Sequence, residues 1–279
     1  MKDYINLIRA KHYVKNLLIF VPLFFGREIM NREKFVRAFT GFVCFCLISS
    51  AVYIFNDWRD REKDRSHPVK KERPIASGRI KPRDAIIIMI LFIIIAIIIS
   101  VKFENVKSML LLLLYLMLNI VYSMGMKNWP IIDIVILASG FVLRVVYGGC
   151  ITDISISKWL YLVITMGSLY MGLGKRRNEL KKQKNTREVL KYYNEAFLDK
   201  NMYVCVALTD VFYALWTLEM TNGLISWTVP VFIVILMCYS LDIEGNSDGD
   251  PVEVILKDKI LLGLIFIYGI LLFSLIYIG

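Results

Sequence analysis

Charge is scarce in this chain. Only 21% of its 279 residues are Asp, Glu, Lys or Arg, against 57% hydrophobic residues and a mean hydropathy of +0.57, a balance that excludes an ordinary soluble domain and indicates an integral membrane protein. Cysteine supplies no framework either. Of the five, Cys44, Cys46, Cys205 and Cys238 lie inside apolar runs without metal-ligand spacing and read as small buried hydrophobes; Cys150 is a lone thiol in a short loop, so no disulfide scaffold is implied. The glycines of GSLYMGLGK, namely Gly167, Gly172 and Gly174, lack the strand and the Ser or Thr after the lysine that a phosphate loop requires, and are expected to serve close helix packing. No small-residue cleavage pattern follows Gly26, so the basic N-terminus and its apolar run read as a retained first span. No internal repeat with paired broken helices is visible, which argues against a transporter or a membrane scaffold.

What is present is a succession of apolar runs. A transmembrane helix needs roughly 20 mostly apolar residues, and nine spans are expected, near residues 14–30, 36–56, 84–102, 107–125, 130–149, 158–174, 201–220, 224–242 and 259–278. The first has a short uncharged core that contains Pro22 and is expected to be kinked or partly interfacial. With the N-terminus in the cytoplasm, the cytoplasmic segments of this layout hold 26 of the 34 Lys and Arg and the outer segments seven, with Arg144 left inside a span. That asymmetry follows the positive-inside rule and accounts for most of the +10 charge without any nucleic acid. It also places the two long polar loops on one side of the bilayer. The expected architecture is an all-α membrane protein, a single domain over 1–279, with about nine helices around a central cavity capped by cytoplasmic loops.

The first of those loops, residues 56–78, reads NDWRDREKDRSHPVKKERPIASG. Asp57, Asp60 and Asp64 fall at i, i+3 and i+7 and share one face of a helix, with Asn56 beside Asp60 one turn away. Three acids so crowded repel one another unless a cation lies among them, and Mg²⁺ takes one or two carboxylates and completes its shell with water and phosphate. Bases follow at once: Arg65, Lys70, Lys71, Arg73 and Arg79. Such a pairing suits a diphosphate ester. His67, a lone histidine before proline, reads as a loop-packing hydrogen bonder.

The second loop begins GKRRNELKKQKN at Gly174 and offers Lys175, Arg176 and Glu179 at the helix end, with Lys181, Lys182 and Lys184 beyond. For these later lysines, topology or anionic lipid is a sufficient explanation. Charges inside spans carry more information. Asp133 and Arg144 are close to three whole turns apart and share a face, and Arg144 is expected to meet Asp210 of the seventh span in a structural pair. The run Asp242, Glu244, Asp248, Asp250 reads as a flexible turn rather than a second metal site.

NDWRDREKD resembles the NDxxDxxxD signature of the UbiA superfamily of intramembrane prenyltransferases, and HPVKKERPIASG resembles its RP-x-x-x-G continuation. HYVKNLLIFVPLFF, YSMGMK, IDIVILASGFVLRVVYGG, GKRRNEL and DPVEVILKD, dispersed in order over nearly the whole chain, are similar to one branch, the decaprenyl-phosphate phosphoribosyltransferase type. Prenyl-transferring members carry a second acidic motif, DxxxD, after the sixth span. Here Lys175, Arg176 and Glu179 stand in its place.

The resemblance implies transfer of 5-phosphoribosyl from 5-phosphoribose 1-diphosphate to a polyprenyl phosphate, with Mg²⁺ and release of diphosphate, in a prokaryotic cell membrane. The alternative is prenyl transfer from a prenyl diphosphate to an aromatic or lipid acceptor. On the phosphoribosyl reading, Asp57, Asp60 and Asp64 hold the metal, and Asn56 steadies the donor or a metal-bound water. Lys70 and Arg73 meet donor phosphates. Lys15, Asn16, Lys175 and Arg176 are candidates for the second phosphate, with Tyr122, Lys127 and Glu179 on the same rim.

Overall fold

The computed structural model describes residues 2–103, 105–182, 187–220, 222–245 and 250–278, so Lys184 and Asp248 lie outside the described residues. Among these the chain is helical, with no strand. In order come α1 (Lys2–Ile8), a 3₁₀ helix (Ala10–Phe20), α2 (Val21–Phe25), α3 (Arg32–Arg59), α4 (Arg61–Arg65), α5 (Pro82–Phe103) and α6 (Val106–Met124). They are followed by α7 (Ile132–Thr152), α8 (Lys158–Lys182), α9 (Glu195–Glu219), α10 (Val229–Glu244), α11 (Pro251–Lys257) and α12 (Lys259–Tyr277).

The sequence marks many of these starts. The side chains of Asn31, Asn105 and Asn194 accept hydrogen bonds from the backbone N–H groups of Lys34, Ser108 and Phe197, capping α3, α6 and α9. Asp250 and Asp258 do the same for α11 and α12. Pro22, Pro230 and Pro251 sit in first turns, where a missing N–H costs nothing.

Seven described helices are long and apolar enough to cross a membrane: α3, α5, α6, α7, α9, the stretch Gly223–Glu244 that contains α10, and α12. The expected count of nine is not reached. Residues 14–30 do not form one rod: the 3₁₀ helix runs to Phe20, the five-residue α2 carries Pro22 in its first turn, and a turn follows. Residues 158–174 do lie within the 25-residue α8, but Tyr161, Thr165, Gly167, Ser168, Tyr170 and Gly172 dilute their apolarity. The outward face of α5 fits a bilayer. Ile90, Leu91, Ile94 and Ile98 are all 46% or more exposed, a continuous apolar surface that lipid covers and water does not.

The chain divides into two compact units, Met1–Met126 with Leu143–Ser155, and Lys127–Val142 with Ile156–Gly279. In the first, α3 packs on α5, α6 and the 3₁₀ helix around Ile19, Phe45, Ile48, Tyr115 and Tyr147. Gly148 of α7 permits a close approach: a Cβ there would stand 2.1 Å from the carbonyl oxygen of Ile19. In the second unit, α8 packs on α9, and α10 on α9 and α12, around Ile134, Tyr170, Leu198, Met202 and Ile243. Gly172 and Gly174 serve the expected close packing, since added Cβ atoms would meet Ile134 at 3.2 Å and Ile243 at 2.9 Å.

Backbone atoms cannot move aside as a side-chain tip can. Gly148→Ala should therefore destabilise the first unit by about 1–3 kcal/mol, read as a lower thermal unfolding midpoint in detergent. Gly263→Ala, in α12 with nothing within 4 Å, should leave the midpoint unchanged.

Candidate functional site

The acidic face begins at the end of α3. Asp60 closes that helix with φ −87° and ψ 5°, yet its N–H still bonds to the carbonyl of Asn56 at 2.9 Å, and the N–H of Asp64 to that of Asp60 at 2.8 Å. The helical path thus continues into α4, and Asp57 and Asp64 stay on one side. Both are buried, 2% and 4% exposed. The chain then turns back through a short 3₁₀ turn (Lys70–Glu72) to Arg73, whose Nη1 lies 3.0 Å from Asp57 Oδ1 and 2.7 Å from Asp64 Oδ2. Arg9 approaches from the N-terminus, its Nη2 2.5 Å from the same Asp57 oxygen. Two carboxylates and two guanidiniums make a neutral cluster.

Asp60 is only half-buried. Among the described residues no group of three or more Asp, Glu, His or Cys side chains gathers as a metal would require, so the expected three-acid set is not assembled. Two acids remain, and they suit Mg²⁺, which uses one or two carboxylates. That a single nitrogen of Arg73 stands within 3.0 Å of both shows two hard oxygen donors converging where one cation fits. Asn56 is tied to α6, its Oδ1 accepting from Ser123 Oγ. His67 Nδ1 accepts from the N–H groups of Val69 and Lys70 at 3.2 and 3.3 Å, which is the loop-packing role expected of it. Lys70 is half-buried on this turn, Tyr122 is half-buried on α6 beside Ser123, and Lys15 is half-buried on the 3₁₀ helix.

Asn16, a candidate for the second phosphate, has a fully buried side chain. Its Oδ1 accepts from Arg144 Nε at 2.8 Å, and its Nδ2 donates to Cys46 Sγ at 3.1 Å and Ser49 Oγ at 3.3 Å. Arg144 also donates to Tyr115 Oη at 3.1 Å and lies over the rings of Phe45 and Tyr115, at 4.8 and 5.0 Å from their centroids. Asp210, the partner expected for Arg144, lies in the other unit, and its Oδ1 lacks a hydrogen-bond partner among the described residues. Within the first unit the 3₁₀ helix brings the Asn16 amide to Arg144 Nε.

In the second unit the end of α8 holds a buried ion network. Arg176 is completely enclosed, with Nε 2.5 Å from Asp133 Oδ2 and Nη1 2.6 Å from Glu179 Oε2. Arg187 Nε reaches the same Glu179 oxygen at 3.5 Å. Tyr193 donates to Asp133 Oδ1 at 2.6 Å and accepts from the N–H of Ile131, also at 2.6 Å. That bond helps to hold Ile131 at φ 70°, a rare conformation for a β-branched residue, just ahead of α7. Arg176 and Glu179, the candidates on this loop, pair with each other here: a buried guanidinium demands carboxylates, and Asp133 and Glu179 supply them. Lys175 is half-buried with Nζ 3.6 Å from Asp250 Oδ2, and Lys127 is half-buried on the turn that precedes α7.

Glu179 lies past the apolar part of α8. Burial raises its pKa, but the charges of Arg176, Arg187 and Lys175 outweigh that and hold it down at about 2. Burial and the neighbouring Asp133 carboxylate push the Tyr193 hydroxyl up. Sequence reasoning passed over Arg9, Arg187 and Tyr193. For Arg9, the signal was its place among the bases preceding the first apolar run.

Two outcomes follow for the network. Arg176→Met leaves two buried carboxylates short of their counter-ion and should cost about 3–5 kcal/mol of stability, measured by thermal unfolding in detergent. Because the Glu179 pKa is depressed, its stabilisation is complete above its ordinary value of 4.5 and is lost as pH falls towards about 2. Glu179→Gln should flatten the pH dependence of unfolding across that window.

Comparison with known proteins agrees with this architecture. The UbiA prenyltransferase family profile matches residues 20–253. The decaprenyl-phosphate phosphoribosyltransferase of Mycolicibacterium smegmatis is 32% identical over 92% of this chain and 87% of its own length. That of Corynebacterium glutamicum is 33% identical over 92% of this chain and 81% of its own. A solved UbiA homologue from Archaeoglobus fulgidus, bound to GPP and Mg²⁺, shares the fold with a TM-score of 0.76 at 21% identity, covering 98% of this chain and 99% of that one. By the extent of the profile match and the identity to these relatives, the chain belongs to the UbiA prenyltransferase family.

Proposed function

We propose that the protein transfers 5-phosphoribosyl from 5-phosphoribose 1-diphosphate to a polyprenyl phosphate, releasing diphosphate. One observation carries this reading beyond the names of its relatives. At the end of α8, where prenyl-transferring members carry a second acidic motif, the nearest carboxylate is Glu179, and Arg176 and Arg187 already neutralise it. With Lys175 and Arg176 beside it, this lone acid supplies no second acidic pair there. The converging pair, Asp57 and Asp64, suits the diphosphate of either donor, and the basic side chains beyond it suit the 5-phosphate and the acceptor phosphate that only the phosphoribosyl reaction brings.

Asp57 and Asp64, with Asn56 and Asp60 beside them, are the residues we assign to Mg²⁺, which when bound stabilises the negative charge of the departing diphosphate. Arg73 and Lys70 are assigned to donor phosphate oxygens. A guanidinium presents a fork of N–H donors that matches phosphate oxygens. Lys15, Lys127 and Lys175 are assigned to the remaining phosphates, with Tyr122 on the rim. As the bond from C1 to the leaving oxygen breaks, positive charge grows on the ribose ring and negative charge on the diphosphate. Fixed cations stabilise the latter more in the transition state than in the ground state. The acceptor phosphate is ionised near neutral pH, so its oxygen attacks without a general base. In-line attack inverts the anomeric centre, which NMR of the product would show as the opposite anomer to the donor. The active-site loops are assigned to the cytoplasm by the distribution of Lys and Arg.

The test is transfer of label from radiolabelled 5-phosphoribose 1-diphosphate to a polyprenyl phosphate in detergent or liposomes. Label should enter the organic phase, disappear on chelation, and fall by roughly a hundredfold or more in Asp57→Asn. Transfer from a prenyl diphosphate to an aromatic acceptor, with none from the phosphoribosyl donor, would overturn the assignment.

A further inference from the structure

Arg9 has no role in the scheme above, yet it makes the shortest contact in the acidic cluster. Asp57 is almost wholly buried, and both Arg9 and Arg73 bond to its Oδ1. Arg73 is shared with Asp64 and is assigned to donor phosphate oxygens, so it has further partners when Asp57 is taken from it. The pairing of Arg9 in the cluster is with Asp57 alone. Its guanidinium also lies over the Tyr53 ring, 4.8 Å from the centroid, so it has a resting place next to Asp57 when the ion pair opens.

The backbone around Arg9 is anchored. Ser50 Oγ donates to the carbonyl of Ile8 at 3.1 Å, Tyr13 and Ser50 share a hydrogen bond of 2.7 Å, and Asn16 is held by Arg144. Arg9 itself sits at φ 54° and ψ 48°, the left-handed region that costs any non-glycine residue free energy. An arginine held in that conformation, with fixed neighbours on both sides, can leave Asp57 by side-chain rotation alone.

Charge decides when it leaves. A bare divalent ion entering this neutral cluster would add two positive charges and strand a guanidinium. An ion that arrives with diphosphate adds net negative charge and offers that guanidinium new oxygen acceptors. Resting on the assignment of Mg²⁺ to Asp57 and Asp64, we infer that Arg9 is a displaceable counter-cation: it occupies Asp57 while the donor site is empty and yields it to a divalent ion delivered with a diphosphate. Metal and donor then bind as a coupled pair, each strengthening the other.

The experiment titrates free Mn²⁺ into the full chain in detergent, without donor, and counts bound ion by electron paramagnetic resonance. Arg9→Gln should tighten donor-free Mn²⁺ binding by about tenfold. Arg9→Gly should do the same on a residue at ease with positive φ, so the comparison survives if the glutamine variant does not fold. Arg61→Gln removes a nearby guanidinium that pairs with Glu62 and lies over Trp58, and should change binding by less than about twofold. Equal tightening in Arg61→Gln, or none in the folded Arg9 variants, would overturn the inference. Asp57→Asn separates the two readings. If it abolishes binding while the Arg9 variants do nothing, only the role of Arg9 falls. If binding survives Asp57→Asn, the metal assignment falls and Arg9 with it.

Discussion

A carboxylate buried at the end of a membrane helix must be given a cation, and much of the first unit can be read from that requirement. Asp57 lies at the end of α3, where water is scarce and an isolated charge would cost several kcal/mol. Arg73 meets it because the chain after α4 folds back, and Arg9 meets it because the 3₁₀ helix is fixed against α3 and α7. The two guanidiniums balance the charge that the fold has buried.

The second unit solves the same problem differently. Arg176 is the buried charge there, and Asp133 and Glu179 close around it with Tyr193 and Arg187 behind them. Arg176 and Asp133 at its centre are fully buried, while Glu179 and Arg187 reach the edge. This cluster joins the start of α7 to the end of α8, holding in register the segment that carries Lys175. The first cluster is the one to which we assign metal and donor; the second ties two helices together.

Much of this was legible in the sequence, and for physical reasons. Spacing of i and i+7 survives the break at Asp60, because the backbone bonds from Asp60 to Asn56 and from Asp64 to Asp60 persist; Asp57 and Asp64 accordingly share a face. Long apolar runs gave α5, α6 and α12 directly, since no other structure buries twenty such residues so simply. What the sequence hides is partnership. Asn16, Arg176 and Glu179 stand in the family-like blocks, but which side chains they meet depends on packing partners distant in sequence. Asn16 and Arg144 are 128 positions apart, and Arg176 and Asp133 are 43. The first span failed for a local reason, its Pro22 and short apolar core.

The 3₁₀ segment also acts as a ruler. Eleven residues at a rise of about 2.0 Å extend roughly 22 Å, whereas the same residues wound as an α-helix would cover only about 16 Å. With Ile19 pressed on Gly148 at one end, the tighter winding is what carries the chain far enough for Arg9 to arrive at Asp57. Pitch, as much as side-chain identity, sets which residue of the N-terminal strap reaches the acid, and a change that favoured ordinary α winding there would shift that alignment while leaving every residue of the acidic motif untouched.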